Sequence, residues 1–207
     1  MENDEKHGFG KEFHNNGRIL FEGEFIKGKY NGKGTKIYHE DGQAKYEGNI
    51  FNGSREGMGK LYHWNGVLRY EGEFRKDGFH GKNVREINHE KQIMYQGEMT
   101  EGKKNGYGKE YHKNGILYYE GDFLDDEING KDCKVYGMNG KAEYEGTIIK
   151  GKKEGVGKEY YENGKIGYFG PFKEDVRHGK NAKYYDKNGK LIFSGDFENG
   201  VRVEVKK

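Results

Sequence analysis

The sequence predicts an all-β protein: an elongated, single-layer antiparallel sheet of eight tandem β-hairpin repeats, curled into a trough. Three observations predict it: a repeat of 24 or 25 residues, a turn signal in most repeats, and rows of aromatic residues around a recurring glycine. Such repetition decides the architecture, because each repeat can bury its apolar face only against its neighbours.

The repeat is recognised by its spacing. Each repeat begins with a glycine, and the steps alternate strictly between 24 and 25 residues, so the underlying period is a 49-residue pair. The predicted repeats are 8–31, 32–56, 57–80, 81–105, 106–129, 130–154, 155–178 and 179–203, between tails at 1–7 and 204–207. Alignment places the extra residue of the even repeats just before a shared lysine, which predicts a β-bulge there.

Three apolar rows recur once per repeat. The first row is Phe13, Tyr38, Tyr62, Ile87, Tyr111, Tyr136, Tyr160 and Tyr185. The second row is Phe21, Tyr46, Tyr70, Tyr95, Tyr119, Tyr144, Tyr168 and Phe193, and the third is Phe25, Ile50, Phe74, Met99, Phe123, Ile148, Phe172 and Phe197. A glycine separates the second and third rows in every repeat. Side chains alternate along a strand, so these two rows share a face, and a neighbouring ring must cover each glycine.

Most hairpin loops carry Asn-Gly or Asp-Gly, the strongest short-range hairpin signal. A two-residue turn at Asn16-Gly17 would place Phe21 on the wrong face. We therefore predict a three-residue loop with a left-handed glycine, which sets Phe13 opposite Phe21 and gathers the aromatic rows on one face. Beyond Gly200, the alternating residues 201–207 predict a terminal strand.

Composition excludes several classes of protein. Charged residues make up 35% of the chain and the mean hydropathy is −1.20, but 14% aromatic residues argue against disorder. The net charge of +2 is evenly interspersed, unlike the basic stripe of a nucleic-acid-binding protein. A single cysteine, Cys133, excludes an internal disulfide and favours a reducing compartment. Neither a signal peptide nor a transmembrane segment is evident, so we expect a cytoplasmic protein.

Residues that could carry chemistry recur too regularly to form a single site. His14, His63 and His112 share one position in odd repeats and lie roughly 19 Å apart by strand spacing, too far to share a metal ion. The glycine-rich stretch 28–34 lacks the spacing, the hydroxyl residue and the helix of a phosphate loop. Acids such as Glu22 and Glu47 recur once per repeat, as on a solvated face. We expect no enzymatic activity, no metal and no cofactor.

One cation in each repeat lies two residues before the first aromatic row, and therefore on the same face. This row is Lys11, Lys36, Lys60, Arg85, Lys109, Lys134, Lys158 and Lys183. Each cation either lays its stem over a ring with its charge in water, or faces a ligand. The candidate partner-binding residues are Phe13, Tyr38, Tyr62, Tyr111, Tyr136, Tyr160, Tyr185, Lys36, Lys60, Lys109, Lys134 and Lys158.

The segments YEGEF (70–74), YEGDF (119–123) and GYGKEY (106–111) resemble MORN repeats (membrane occupation and recognition nexus), whose approximate pattern is Y-x-G-x-[WF]-x-x-G-x-x-x-G-x-G. The resemblance covers residues 8–203. The repeats are slightly longer than the usual 23 residues, and the fourth departs most, with Ile87, Lys91 and Gln96 at positions normally aromatic, glycine and glutamate. The resemblance implies a β-hairpin array with scaffolding roles, including roles in cilia and the cytoskeleton.

Three functions follow as hypotheses. The first is a non-catalytic scaffold that binds protein partners in a large intracellular assembly, such as an axoneme, a cilium or the cortical cytoskeleton. The second is a peripheral membrane adaptor that binds acidic phospholipids, which the interspersed charges oppose. The third is a binding protein like the bacterial antitoxins of this family.

Overall fold

The computed structural model describes residues 5–203. This part of the chain contains strands and turns but no helix, and so no helix that could cross a membrane. The chain divides into two compact units, Met1–Lys104 and Asn105–Lys207. The outer parts of the two predicted tails, 1–4 and 204–207, lie outside the described residues.

Nineteen strands are present between residues 5 and 203. The strands of the N-terminal unit are β1 (Gly8–Phe13), β2 (Ile19–Ile26), β3 (Lys29–Tyr38), β4 (Ala44–Phe51), β5 (Ser54–Tyr62), β6 (Leu68–Arg75), β7 (Gly78–Ile87) and β8 (Ile93–Thr100). The division between the units falls within β9 (Lys103–Tyr111). The C-terminal unit continues with β10 (Leu117–Leu124), β11 (Glu127–Ile128), β12 (Gly130–Tyr136), β13 (Ala142–Ile149), β14 (Lys152–Tyr160), β15 (Ile166–Lys173), β16 (Val176–Arg177), β17 (Gly179–Tyr185), β18 (Leu191–Glu198) and β19 (Val201–Arg202).

Within each unit, strands pair antiparallel in chain order. In the C-terminal unit, β10 and β15 each pair with two consecutive strands, where a short strand is followed by a longer one. Strand β19 pairs with β18 at the start of the segment predicted to form a terminal strand. The predicted all-β array of antiparallel hairpins is confirmed.

The hairpin loops have the predicted odd length. In the first hairpin, the amide of His14 donates to the carbonyl of Arg18 at 2.8 Å, and the amide of Gly17 donates to the carbonyl of His14 at 2.9 Å. Asn15, Asn16 and Gly17 therefore form the loop, and Gly17 takes a left-handed φ of 81°. Asn-Gly suits this loop because glycine adopts positive φ without steric cost.

The predicted bulge of the even repeats is also present. In β3 the register shifts between Gly32 and Thr35, just before Lys36, and the other even repeats shift at the same place. The inserted segment of three even repeats contains a left-handed residue, namely Gly34, Asp132 and Asn181. The extra residue of each even repeat is therefore absorbed locally.

The predicted pairing of Phe13 with Phe21 is wrong. Phe13 pairs with Ile19, and Glu12 pairs with Phe21, because the register shifts by one residue between these pairs. The other hairpins shift at the same point after their loops. Opposite residues share a face of the sheet, so the first aromatic row lies on the face opposite the other two rows.

The two faces differ in character. We call the face with the second and third aromatic rows the core face. We call the opposite face the ladder face; it carries the lysine row, the first aromatic row and the acids that alternate with the second row. Seven second-row residues on the core face are at most 1% exposed: Phe21, Tyr46, Tyr70, Tyr95, Tyr119, Tyr144 and Tyr168. Their burial supplies most of the hydrophobic stabilisation available to a sheet this polar.

Second-row rings lie over glycines, as predicted. Tyr46 covers Gly48 on its own strand and Gly59 on the next hairpin, where a Cβ would lie 2.5 Å from the tyrosine hydroxyl oxygen. The same hydroxyl donates to the carbonyl of Asn49 at 2.8 Å. Five more second-row tyrosines bond the carbonyl three residues onward: Tyr70, Tyr95, Tyr119, Tyr144 and Tyr168. Each tyrosine thus fills the space above bare backbone and satisfies its own hydroxyl.

Even repeats place a small side chain opposite the glycine instead. These residues are Thr35, Val84, Cys133 and Ala182, all buried. The thiol of Cys133 lies 3.0 Å from the hydroxyl of Tyr119. Cys133 is therefore a packing residue of the core.

A further row that sequence analysis did not single out lies at the start of the strand after each connecting turn. Its members are Tyr30, Arg55, Phe79, Lys104, Ile128, Lys153, Arg177 and Arg202. Aromatic members stack on the second row, as Phe79 does on Tyr70 with ring centroids 4.0 Å apart. Cationic members lie over rings, as Arg55 does at 5.0 Å from the centroid of Phe74. This row covers the otherwise open side of the core.

Candidate functional site: the ladder face

The ladder face of the N-terminal unit is built from alternating lysines and glutamates. Across successive strands the register runs from Lys11 to Glu22, Lys36, Glu47, Lys60 and Glu71. In the C-terminal unit the same ladder runs from Lys109 to Glu120, Lys134, Glu145 and Lys158. Each predicted site lysine therefore lies beside at least one carboxylate.

Several of these neighbours form ion pairs. The distance from Nζ to a carboxylate oxygen is 3.1 Å for Lys60 and Glu71, 3.1 Å for Lys109 and Glu120, and 3.6 Å for Lys158 and Glu145. The pairs are solvated, so each contributes little to stability. Their main effect is to balance charge along the ladder.

First-row tyrosines bond the same carboxylates from the other side. Tyr160 donates to Glu145 at 2.7 Å, and Tyr62 donates to Glu47 at 3.2 Å. Burial and the bond to Glu145 raise the pKa of Tyr160 to about 12. That bond also lowers the pKa of the Glu145 carboxyl. Neither group is poised to exchange a proton near neutral pH, so the contact is structural.

A shallow groove of about 330 Å³ runs across the ladder face of the N-terminal unit. Its floor is glycine backbone, at Gly34, Gly48 and Gly59. Lys36, Glu47, Lys60, Glu71 and the side chain of Met58 form its walls. It therefore combines bare backbone, both signs of charge and an apolar wall, which suits an extended peptide better than a small molecule.

Odd repeats also expose one apolar side chain on the ladder face, between the two glycines of their Gly-x-Gly start. These residues are Phe9, Met58, Tyr107 and Val156, with 76%, 60%, 54% and 57% of their surface exposed. Sequence analysis missed them, although the changing residue between two constant glycines was a visible signal. Of the predicted first-row candidates, Phe13 is 56% exposed, and the six tyrosines are half-buried.

Comparison with protein families agrees with the geometry. A family model for the MORN repeat matches residues 1–18, 21–42, 46–66, 70–82, 95–116, 119–131 and 144–166, and a MORN repeat variant matches residues 180–199. These matches cover more than half of the chain. The protein belongs to the MORN-repeat family. A search among curated proteins found no match.

The longest interval without a match within the first five MORN repeats is 83–94, in the fourth repeat. Lys91 stands there where other loops have glycine, and it takes the same left-handed conformation with φ of 67°. The hairpin still forms, since Ile87 pairs with Ile93. The MORN hairpin therefore tolerates loss of its loop glycine at the strain cost of one left-handed side chain.

Loop side chains tie odd MORN repeats to the even repeats that follow. His14, His63 and His112 each place Nε2 within hydrogen-bond distance of the carbonyl 24 residues onward, at 3.1, 2.6 and 3.2 Å. Asn16, Asn65 and Asn163 donate to carbonyls of the next loop in the same way. The histidines of odd repeats are thus inter-repeat staples.

The junction from an even to an odd MORN repeat is looser. His39, the even-repeat counterpart, has a buried Nε2 without a hydrogen-bond partner in the described chain. A cleft of about 520 Å³ opens there, lined by His39, Arg55, Trp64 and Phe79 among others. The C-terminal unit has a cleft of about 310 Å³ at the equivalent junction, beside Lys153 and Arg177. Both lie on the core side, where cations are already paired with Asp77 or Glu159.

Proposed function

We propose that this MORN protein is a non-catalytic scaffold whose ladder face binds partner proteins in a larger intracellular assembly, such as an axoneme, a cilium or the cortical cytoskeleton. Arrays of MORN repeats are consistent with an interaction module. The observation that carries the proposal is the glycine-floored groove between Lys36, Lys60 and Met58. A partner strand or loop could approach the backbone there and pair with charges of both signs.

The charge balance of the ladder favours a protein over a membrane. Lys36 lies between Glu22 and Glu47 in register, and Lys60 lies between Glu47 and Glu71. Membrane surfaces attract clusters of cations, at roughly 1 kcal/mol per lysine. Lysines that alternate with carboxylates supply little of that attraction, whereas a protein surface with mixed charges can match them.

The test uses the full chain as bait, with chemical cross-linking in extract from the cell of origin. The variant Lys36→Glu/Lys60→Glu reverses both groove lysines. The matched control Lys187→Glu/Lys190→Glu makes the same charge change at exposed residues around the last hairpin loop. We expect the same cross-linked proteins with the wild type and the control, and their loss with the groove variant.

Recovery of an identical set from all three proteins, or of no specific protein, would contradict the proposal. A parallel sedimentation with phosphatidylserine vesicles tests the membrane alternative. Salt-sensitive vesicle binding that the groove variant abolishes, without any protein cross-link, would favour that alternative.

A further inference from the structure

The ladder pattern breaks at one hairpin of the C-terminal unit. In the first, third and fifth repeats, two carboxylates flank the second-row glycine: Glu22 and Glu24, Glu71 and Glu73, and Glu120 and Asp122. In the seventh repeat the corresponding residues are Phe169 and Pro171. Both lie on the ladder face, because Phe169 pairs with Lys158 and Pro171 pairs with Val156.

This substitution gathers apolar side chains on the surface. Val156 is 57% exposed, and Phe169 and Pro171 are half-buried beside it. Phe169 also pairs with Lys183 on its other side, so the ring lies between two lysines. We call Val156, Phe169 and Pro171, with the surrounding Lys158, Lys173 and Lys183, the Phe169 patch.

The break also removes the charge balance. In the third repeat, Glu71 and Glu73 occupy the places of Phe169 and Pro171, and Glu71 pairs with Lys60 at 3.1 Å. In the seventh repeat, Lys158 keeps only Glu145, at 3.6 Å. Lys183 faces Phe169 and Ser194 in register, and neither is a carboxylate.

Lys173 extends the positive side of the patch. It lies two residues beyond Pro171 on β15, and so on the same face, and it is exposed. Among the described residues, neither Lys173 nor Lys183 has a carboxylate within ion-pair distance. The nearby acids Glu154 and Asp196 accept backbone amides from Glu174 and Asn181. The patch is therefore an apolar centre with an uncompensated positive rim.

We propose that the Phe169 patch is a docking site for an acidic peptide segment of a partner protein, with one aromatic or large aliphatic side chain as its anchor. The inference rests on the proposed scaffold function and specifies the partner chemistry at this position. An anchor packed on Phe169, Pro171 and Val156 would be desolvated, as at the centre of protein interfaces. Carboxylates on either side of the anchor would meet Lys158, Lys173 and Lys183.

The chain itself offers the matched variant. Phe169→Glu/Pro171→Asp recreates the sequence Glu-Gly-Asp found at 120–122, so the hairpin is expected to fold. Thermal unfolding followed by circular dichroism verifies this. Lys187→Glu/Lys190→Glu serves again as a control for net charge.

The probe is a library of short random peptides displayed on phage, selected against the full wild-type chain. We expect the enriched peptides to carry several Asp or Glu residues around one apolar anchor and to bind more weakly as salt rises. Their affinity should fall at least about tenfold with Phe169→Glu/Pro171→Asp and stay unchanged with the control.

Enrichment of neutral or basic peptides, no enrichment, or equal affinity for the patch variant would each overturn the inference. Phosphatidylserine vesicles that bind through the patch when the peptides do not would also overturn it, in favour of a lipid. The scaffold proposal is judged separately by the groove variant Lys36→Glu/Lys60→Glu, so the patch can fail while the scaffold stands.

Discussion

The hydroxyl of Tyr144 lies directly over Gly157, where an added Cβ would be 2.5 Å from the hydroxyl oxygen. Tyr144 belongs to the sixth repeat and Gly157 to the seventh, so this contact joins adjacent hairpins. Stability of a repeat array depends on such nearest-neighbour interfaces. The contact therefore predicts where a single methyl group should matter.

Replacement of Gly157 by alanine should destabilise the protein by about 1–3 kcal/mol, because the tyrosine must move away from its carbonyl partner. Gly10 holds the same place in the first repeat, but a Cβ there would meet only ordinary contacts, at 3.5 Å from the ring of Phe25. Gly10→Ala is therefore the control and should change stability little. Urea unfolding measures both; equal losses would contradict the ring-over-glycine contact.

Removal of the Tyr144 hydroxyl by Tyr144→Phe should cost about 1 kcal/mol, because the carbonyl of Thr147 loses its bond of 2.9 Å. The ring itself would stay, as at Phe21 and Phe193, where the second row has phenylalanine. Tyr111→Phe is the control, since no described group bonds that hydroxyl. A loss as large at Tyr111 would show that the hydroxyl of Tyr144 has no special role.

The acid limb of stability should depend on Glu159. Burial raises the pKa of this carboxyl, but the ion pairs with Lys153 and Arg177, both at 2.6 Å, outweigh burial and lower it. A lowered pKa in the folded state stabilises the protein above the unfolded value of about 4.3, and this contribution is lost as pH falls through the folded pKa.

Glu159→Gln should therefore destabilise the protein at pH 7 and have a smaller effect near pH 3. The measurement is the free energy of unfolding of wild type and variant at a series of pH values. Glu162→Gln, at an exposed glutamate without an ion pair among the described residues, is the control. A difference between wild type and Glu159→Gln that does not change with pH would refute the ion-pair explanation.

Cys133 should react with thiol reagents only when its hairpin opens. It is fully buried against Tyr119, and Thr35, Val84 and Ala182 occupy its position in other repeats. Labelling should be slow in native buffer and fast in urea, and Cys133→Val should cost less than about 1.5 kcal/mol. Rapid labelling of the native protein would show that the position is not closed.

The spacing of glycines and aromatics was enough to predict the hairpins, their three-residue loops and the bulge of the even repeats, because each has a residue type that requires it. The second register shift has no such marker. The residues that it skips are Leu20, Lys45, Arg69, Met94, Tyr118, Glu143, Gly167 and Ile192, which share no chemistry. For that reason the first aromatic row was assigned to the core face.

The candidate site was predicted in part. Strand parity correctly put Lys36 and Lys60 on the face of Tyr38 and Tyr62, because no shift separates these residues. It could not show that the same face carries Glu47 and Glu71, because that relation depends on the register across the hairpin. The cover of the core was missed for a similar reason, since Tyr30, Arg55 and Phe79 are equivalent only in position.

The separation of the two aromatic rows onto opposite faces underlies both the fold and the proposed site. Hydroxyl-radical footprinting with mass spectrometry tests it directly, by comparing oxidation of neighbouring tyrosines in the native protein. We predict that Tyr38 and Tyr62 oxidise faster than Tyr46 and Tyr70, and that urea abolishes the difference. Equal protection of the two rows in the native protein would contradict the account.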